Sequence, residues 1–185
     1  MSRAFTLSLL LTCSACASAP RSFTITHTFP FAADTVFETS MAHFGDNHLH
    51  PHIHHVEYLD GAEGPAVGVR REVWMSEDGS QRLHEELTAY DPETRSTRLR
   101  IIHAENVPID TSVSEVQSRV TPIDADSSTL TMTMTYKMTP PILGVFAESG
   151  IRSDLEDFMI GFEHYLHTGE EITAERFNLV EANYR

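Results

Sequence analysis

Residues 129–138 read TLTMTMTYKM, with apolar and polar side chains in regular alternation. Successive side chains of a strand point to opposite faces, so Leu130, Met132, Met134, Tyr136 and Met138 share one side. Thr131, Thr133, Thr135 and Lys137 share the other. Such a segment belongs in an antiparallel sheet with one face buried and one solvated. Pro140 and Pro141 end it, because proline cannot donate to the next ladder position.

The same reading extends outward from this strand. "SFTITHTF" alternates Phe23, Ile25 and His27 against threonines, which predicts another half-buried strand. Pro30 breaks it, and Val36, Phe37, Met41 and Phe44 then recur at helical spacing up to Gly45, expected as the C-cap. "HVEYLDGAEGPAVGVRREVWM" holds two strand-like runs broken at residues 60–65, and "EDGS" centres a hairpin turn. "QRLHEELTAYD" puts Leu83, Glu85, Leu87 and Ala89 on one face, and "STRLRIIHAE" puts Leu99, Ile101 and His103 on one face. "TSVSEVQSRVTPID" pairs with the Thr/Met strand across residues 124–128. Leu155, Phe158, Met159, Phe162 and Leu166, at spacings of three and four, predict a long amphipathic closing helix. The tail to Arg185 reads as a short extra helix or a loose end.

At the other end, "MSRAFTLSLLLTCSACASAP" has Arg3, the apolar run Ala4–Leu11 and then small residues. That is the order of a secretory leader, and the run is too short to span a bilayer. Both cysteines, Cys13 and Cys16, lie within it, so no thiol remains downstream for a disulfide, a thiolate metal site or a nucleophile. "CSAC" ending at Cys16 resembles a lipoprotein box with Cys13 in the usual Leu position; "LLTC" ending at Cys13 and ordinary cleavage after "ASA" are the rivals. We expect lipidation at Cys16 and an extracytoplasmic, periplasmic, membrane-anchored domain. The division expected is a leader and tether over 1–21, one domain over 22–168 and an extension over 169–185. A net charge of -14 leaves no basic stripe for phosphates, which excludes nucleic acid as a partner.

A strand, a helix, about six antiparallel strands and a long helix is the helix-grip order. The stretch from "FPFAADTVFETSMAHFGD" to "VRREVWM" resembles the opening of the SRPBCC superfamily, in its polyketide cyclase/dehydrase-like branch. The carrying features are "HPHI" at 50–53, Gly61 with Gly68 and Arg70, "EELTAYD" at 85–91, "VPIDTSVSEVQSRVTPID" and "FMIGFEHYLHTGE". Where that branch usually has tryptophan after the first helix, this chain has His50 and His52. The resemblance implies an α+β fold in which a curved antiparallel sheet of about seven strands wraps the C-terminal helix around an internal cavity. It also implies that this cavity takes an apolar or amphipathic ligand; we expect a hydrophobic small molecule or lipid bound by a monomer, with no cofactor.

Several residues could carry that function. "NHLHPHIHH" holds five of the 11 histidines. His48, His50, His52 and His54 alternate as metal ligands would in an extended segment, whereas the competing reading makes them a cavity rim with an inward histidine, and a rim that loosens on acidification. Glu85, between Leu83 and Leu87, would have its pKa raised in a cavity and could act as a general base, or simply pair with a buried arginine. Glu85, His103 and Tyr136 together would suit a cyclase or dehydratase. The expected ligand-binding wall is His50, His52, Trp74, Glu85, Leu87, His103, Met132, Met134, Tyr136, Met159 and Phe162. Three functions follow: an extracytoplasmic carrier, a cyclase-like enzyme, and a histidine-rich metal module.

Overall fold

The structure, a computed structural model, describes residues 19–184. Seven strands form one antiparallel sheet: β1 (Arg21–Phe29), β2 (His55–Tyr58), β3 (Arg70–Trp74), β4 (Arg82–Asp91), β5 (Ser96–Glu105), β6 (Glu115–Pro122) and β7 (Ser128–Tyr136). Their order is β1-β7-β6-β5-β4-β3-β2, so only β1 is out of sequence, and it pairs with β7 from Arg21↔Tyr136 to Phe29↔Ser128. The helices are α1 (Ala33–Ala42), α2 (Gly144–Thr168) and α3 (Ala174–Val180). The architecture is the expected curved sheet around a long C-terminal helix.

β7 alternates without a fault: Leu130, Met132, Met134 and Tyr136 are buried and the intervening threonines half-exposed. On the convex side Thr24 meets Thr133 and Thr26 meets Thr131 through their hydroxyls. The concave side packs onto α2, where Phe29 lies 5.2 Å from Phe162 and His27 meets Glu163 at 2.6 Å. Two bulges interrupt the β4–β5 ladder, after His84 and after Leu87, and each bends the sheet around the helix.

Gly45 does not cap α1. His43 holds that position, and Gly45 instead lies against the Tyr58 ring, where a Cβ would sit 2.2 Å from Tyr58 Cε2. Gly169, at φ 69°, does terminate α2 in the left-handed conformation that favours glycine. The tail is ordered as α3, and Phe177 with Ile172 covers Ile160 of α2.

Candidate functional site

Between the concave sheet and α2 lies a cavity of about 320 Å³. Its floor is the inner face of the sheet, including Val73, Leu83, Ile101, Val116, Met132 and Met134. Its roof is one stripe of α2, Ile151, Asp154, Leu155 and Phe158. Those positions are i, i+3, i+4 and i+7, which stack on one helix face. Phe37, Met41 and Phe44 close one side from α1 and the turn after it.

Apolar side chains dominate the wall, and several of its polar groups already have partners. Arg71 and Glu85 are cross-strand partners. Arg71 Nε donates to Glu85 Oε2 at 2.8 Å, Nη2 stands 2.7 Å from the same oxygen, and Nη1 donates to the Phe44 carbonyl at 2.5 Å. The guanidinium also covers the Phe44 ring at 4.3 Å. Glu85 is thus held by an arginine, the arrangement weighed against a general base. Asp154 faces them from the helix; burial raises its carboxyl pKa, with the nearby Asp157 adding to the effect and His52 opposing it.

The histidine stretch forms no regular element until His55, because Pro51 falls within it. Consequently its rings point in different directions. His50 lines the cavity, stacked on Phe158 at 5.8 Å, and burial lowers its pKa to about 3, assisted by charge on His52 and Arg71. Its Nδ1 accepts the His52 amide at 3.2 Å, which leaves the proton on Nε2, a neutral donor inside an apolar wall. His52 turns away, its Nε2 3.1 Å from Asp157 Oδ2 and its ring on Phe177 of α3. His54 is exposed. The set His48, His50, His52 and His54 therefore does not converge. Among the described residues, the cluster that does is His43, Asp46 and His48, with one ligand atom from each within 4.8 Å of the others.

Other expected wall residues lie elsewhere. His103 is exposed on the convex side, its ring 4.9 Å from that of His84, because the bulge at Ile102 inserts one residue and reverses the alternation beyond Ile101. Trp74 is also convex, donating from Nε1 to Glu72 at 2.7 Å and packing on His55. Tyr136 is fully buried in the core, with its hydroxyl donating to the Gly144 carbonyl at 3.0 Å. Leu87 of β4 is buried without lining the cavity, and so are Met159 and Phe162, because α2 presents its stripe one turn nearer the N-terminus. Glu85, His103 and Tyr136 are accordingly not assembled as a catalytic trio. The expected wall omitted Arg71, Ile151, Asp154, Leu155 and Phe158, although the helical spacing of the last four was an available signal. Cys16 and Cys13 lie outside the described residues.

A family model described as polyketide cyclase/dehydrase and lipid transport matches residues 20–166. No curated protein sequence matches the chain significantly. Among solved structures, Ara h 8.0201 is similar at 17% identity and a TM-score of 0.67, over 81% of this chain and 99% of its own. Norcoclaurine synthase from Thalictrum flavum, in complex with dopamine and hydroxybenzaldehyde, is 14% identical with a TM-score of 0.60, over 90% of this chain and 98% of its own. The di-domain ARO/CYC BexL, of the BE-7585A biosynthetic pathway, is 13% identical with a TM-score of 0.62, over 80% of this chain and 46% of its own. At these identities the likeness is one of fold.

Proposed function

The chain belongs to the polyketide cyclase/dehydrase and lipid transport family, and from that membership we propose that it is an extracytoplasmic carrier of a hydrophobic small molecule or lipid. The observation that carries the reading is the cavity. Its floor is methionine and branched aliphatic side chains, and its volume of about 320 Å³ is that of a small-molecule site. Methionine adapts to irregular apolar shapes, so Met132 and Met134 suit a ligand recognised by bulk rather than by a dense hydrogen-bond pattern. His50 Nε2 and Asp154 are among the groups that would orient a polar end.

The export and membrane parts of the proposal rest on the leader. Supporting them, the start of β1 lies beside an exposed apolar turn. Arg21 reaches Glu148 at 3.0 Å, and Ile142, Val145 and Phe146 are exposed at 58%, 55% and 74% around it. A chain tethered just before Arg21 would bring those side chains to the lipid surface.

Native mass spectrometry of the full chain, extracted gently from membranes, tests the carrier. A co-purifying apolar ligand, displaced by a fluorescent fatty acid, is the expected result. Absence of both a ligand and any probe binding would refute it. Acyl mass on the mature protein that disappears in Cys16→Ser, with Cys13 intact, is the expected outcome for the anchor; unmodified protein beginning after residue 19 would overturn it.

A further inference from the structure

Where α1 ends, three metal-ligating side chains meet on a six-residue turn. His43 Nδ1 and His48 Nδ1 both approach Asp46 Oδ2, at 2.9 and 3.6 Å. Ligand atoms of a tetrahedral zinc ion, each about 2.0–2.1 Å from it, lie roughly 3.4 Å apart. The two separations from Asp46 Oδ2 therefore bracket that value, and with the three ligand atoms within 4.8 Å of one another, side-chain rotations would centre an ion.

We propose that His43, Asp46 and His48 bind a divalent transition-metal ion of the zinc class through His43 Nδ1, Asp46 Oδ2 and His48 Nδ1. Two imidazoles and one carboxylate suit such ions, whereas calcium or magnesium would call for oxygen ligands throughout. Three protein ligands leave a coordination position for water or for an oxygen of a cavity ligand, since His43 and Asp46 both line the cavity.

The surroundings are arranged to hold the ligands. The His48 amide donates to Asp46 Oδ1 at 3.0 Å, which occupies one carboxylate oxygen and leaves Oδ2 turned to the histidines. Glu171 Oε2 stands 4.0 Å from His48 Nε2, the ring nitrogen opposite the proposed ligand atom. At that separation it is an ion-pair neighbour rather than a hydrogen-bond partner, and a small rotation would make it the orienting carboxylate that ligating imidazoles usually have. The Ile172 amide donates to the His48 carbonyl at 3.0 Å, so the segment carrying Glu171 is tied to the ligand loop. His43 is fixed edge-on against Tyr165 of α2, with ring centroids 4.6 Å apart. The side chains remain accessible, at 17% for His43, 32% for Asp46 and 41% for His48, so an ion has a path in. Nothing in this site depends on what the cavity carries.

The test uses the untagged full chain with Cys13→Ser and Cys16→Ser, so that no thiolate or tag competes. Co²⁺ is titrated by visible absorption and then displaced by Zn²⁺. We expect one equivalent of Co²⁺, fully displaced by one of Zn²⁺. Asp46→Asn and His48→Gln should each abolish saturation in the same range, and Glu171→Gln should weaken it by roughly tenfold. His54→Gln, on the exposed ring of the same stretch, should change nothing. Failure of the parent chain to bind Co²⁺, or equal weakening by His54→Gln and His48→Gln, would overturn the site. Should a ligand variant unfold, paramagnetic shifts in the parent chain decide the question: Co²⁺ must shift the ring protons of His43 and His48 and spare those of His54, and any other pattern refutes the assignment.

Discussion

Arg71 and Glu85 stand directly opposite each other on β3 and β4, and the guanidinium reaches the carboxylate at 2.7 Å on the cavity wall. Their side chains are only 20% and 13% exposed. A pair so placed is costly to break singly and cheap to replace whole. Arg71→Met should lower stability by about 2–4 kcal/mol, because it strands a carboxylate among apolar groups. The double variant Arg71→Met with Glu85→Leu should regain most of that loss. Urea unfolding of the three proteins checks this; a double variant no better than the single would show that the partners do not compensate each other.

The cavity stripe on α2 predicts which substitutions affect binding without affecting the fold. Leu155→Trp places a bulky indole ring in the cavity roof and should weaken binding of a fluorescent fatty acid by roughly tenfold or more. His103→Ala, on the convex face, should leave probe affinity unchanged. Equal effects of the two substitutions would remove the cavity as the binding site.

Gly161 is where two segments, the histidine loop and the chain before α3, converge on α2. A Cβ there would lie 2.8 Å from the Leu49 carbonyl oxygen, 2.9 Å from Ile172 and 3.3 Å from Pro51. In an exposed helix Gly→Ala would stabilise by about 1 kcal/mol. Here the histidine loop must retreat, and Gly161→Ala should instead cost about 1–3 kcal/mol. Thermal melting gives the sign, and a raised midpoint would show that the loop yields freely.

Acid sensitivity should have a specific source in the C-terminal packing. His164 is 5% exposed, its Nδ1 is 3.2 Å from the Tyr184 hydroxyl, and its Nε2 is buried without a partner among the described residues. Burial lowers its pKa, assisted by Arg176 and His167 and opposed by Glu170. A histidine whose folded pKa lies below the unfolded value near 6.5 does not alter stability above that pH. As the pH falls through 6.5 the unfolded chain takes up a proton that the folded chain resists, so stability declines until the folded pKa is reached. Unfolding free energies at pH 7.5 and 5.5 should differ less in His164→Gln than in the parent. An identical difference in both proteins would remove His164 as the cause.

The order of elements was legible along the chain because strand and helix periods are local properties. Thr129–Met138 could be placed on a half-buried strand from its alternation alone, and Leu155 and Phe158 on the inner side of a long helix from their spacing. Phase was not legible. One extra residue at Ile102 moved His103 from the concave to the convex face, and a ladder must be paired before such an insertion appears. Nor did spacing show that Glu85 would meet Arg71, 14 residues earlier in the chain, or that Tyr136 would spend its hydroxyl on Gly144.

The histidine stretch divides the two kinds of information most clearly. The residues alone established that imidazoles were concentrated after the first helix, and that Pro51 bars the stretch from the interior of one regular helix. Which of them turned inward was decided by tertiary contacts. Phe158 and Arg71 surround His50, Asp157 draws His52 outward, and Asp46 gathers His48 to His43. An irregular segment has no period to assign its side chains to faces, so their directions follow from the partners that the rest of the fold brings to them.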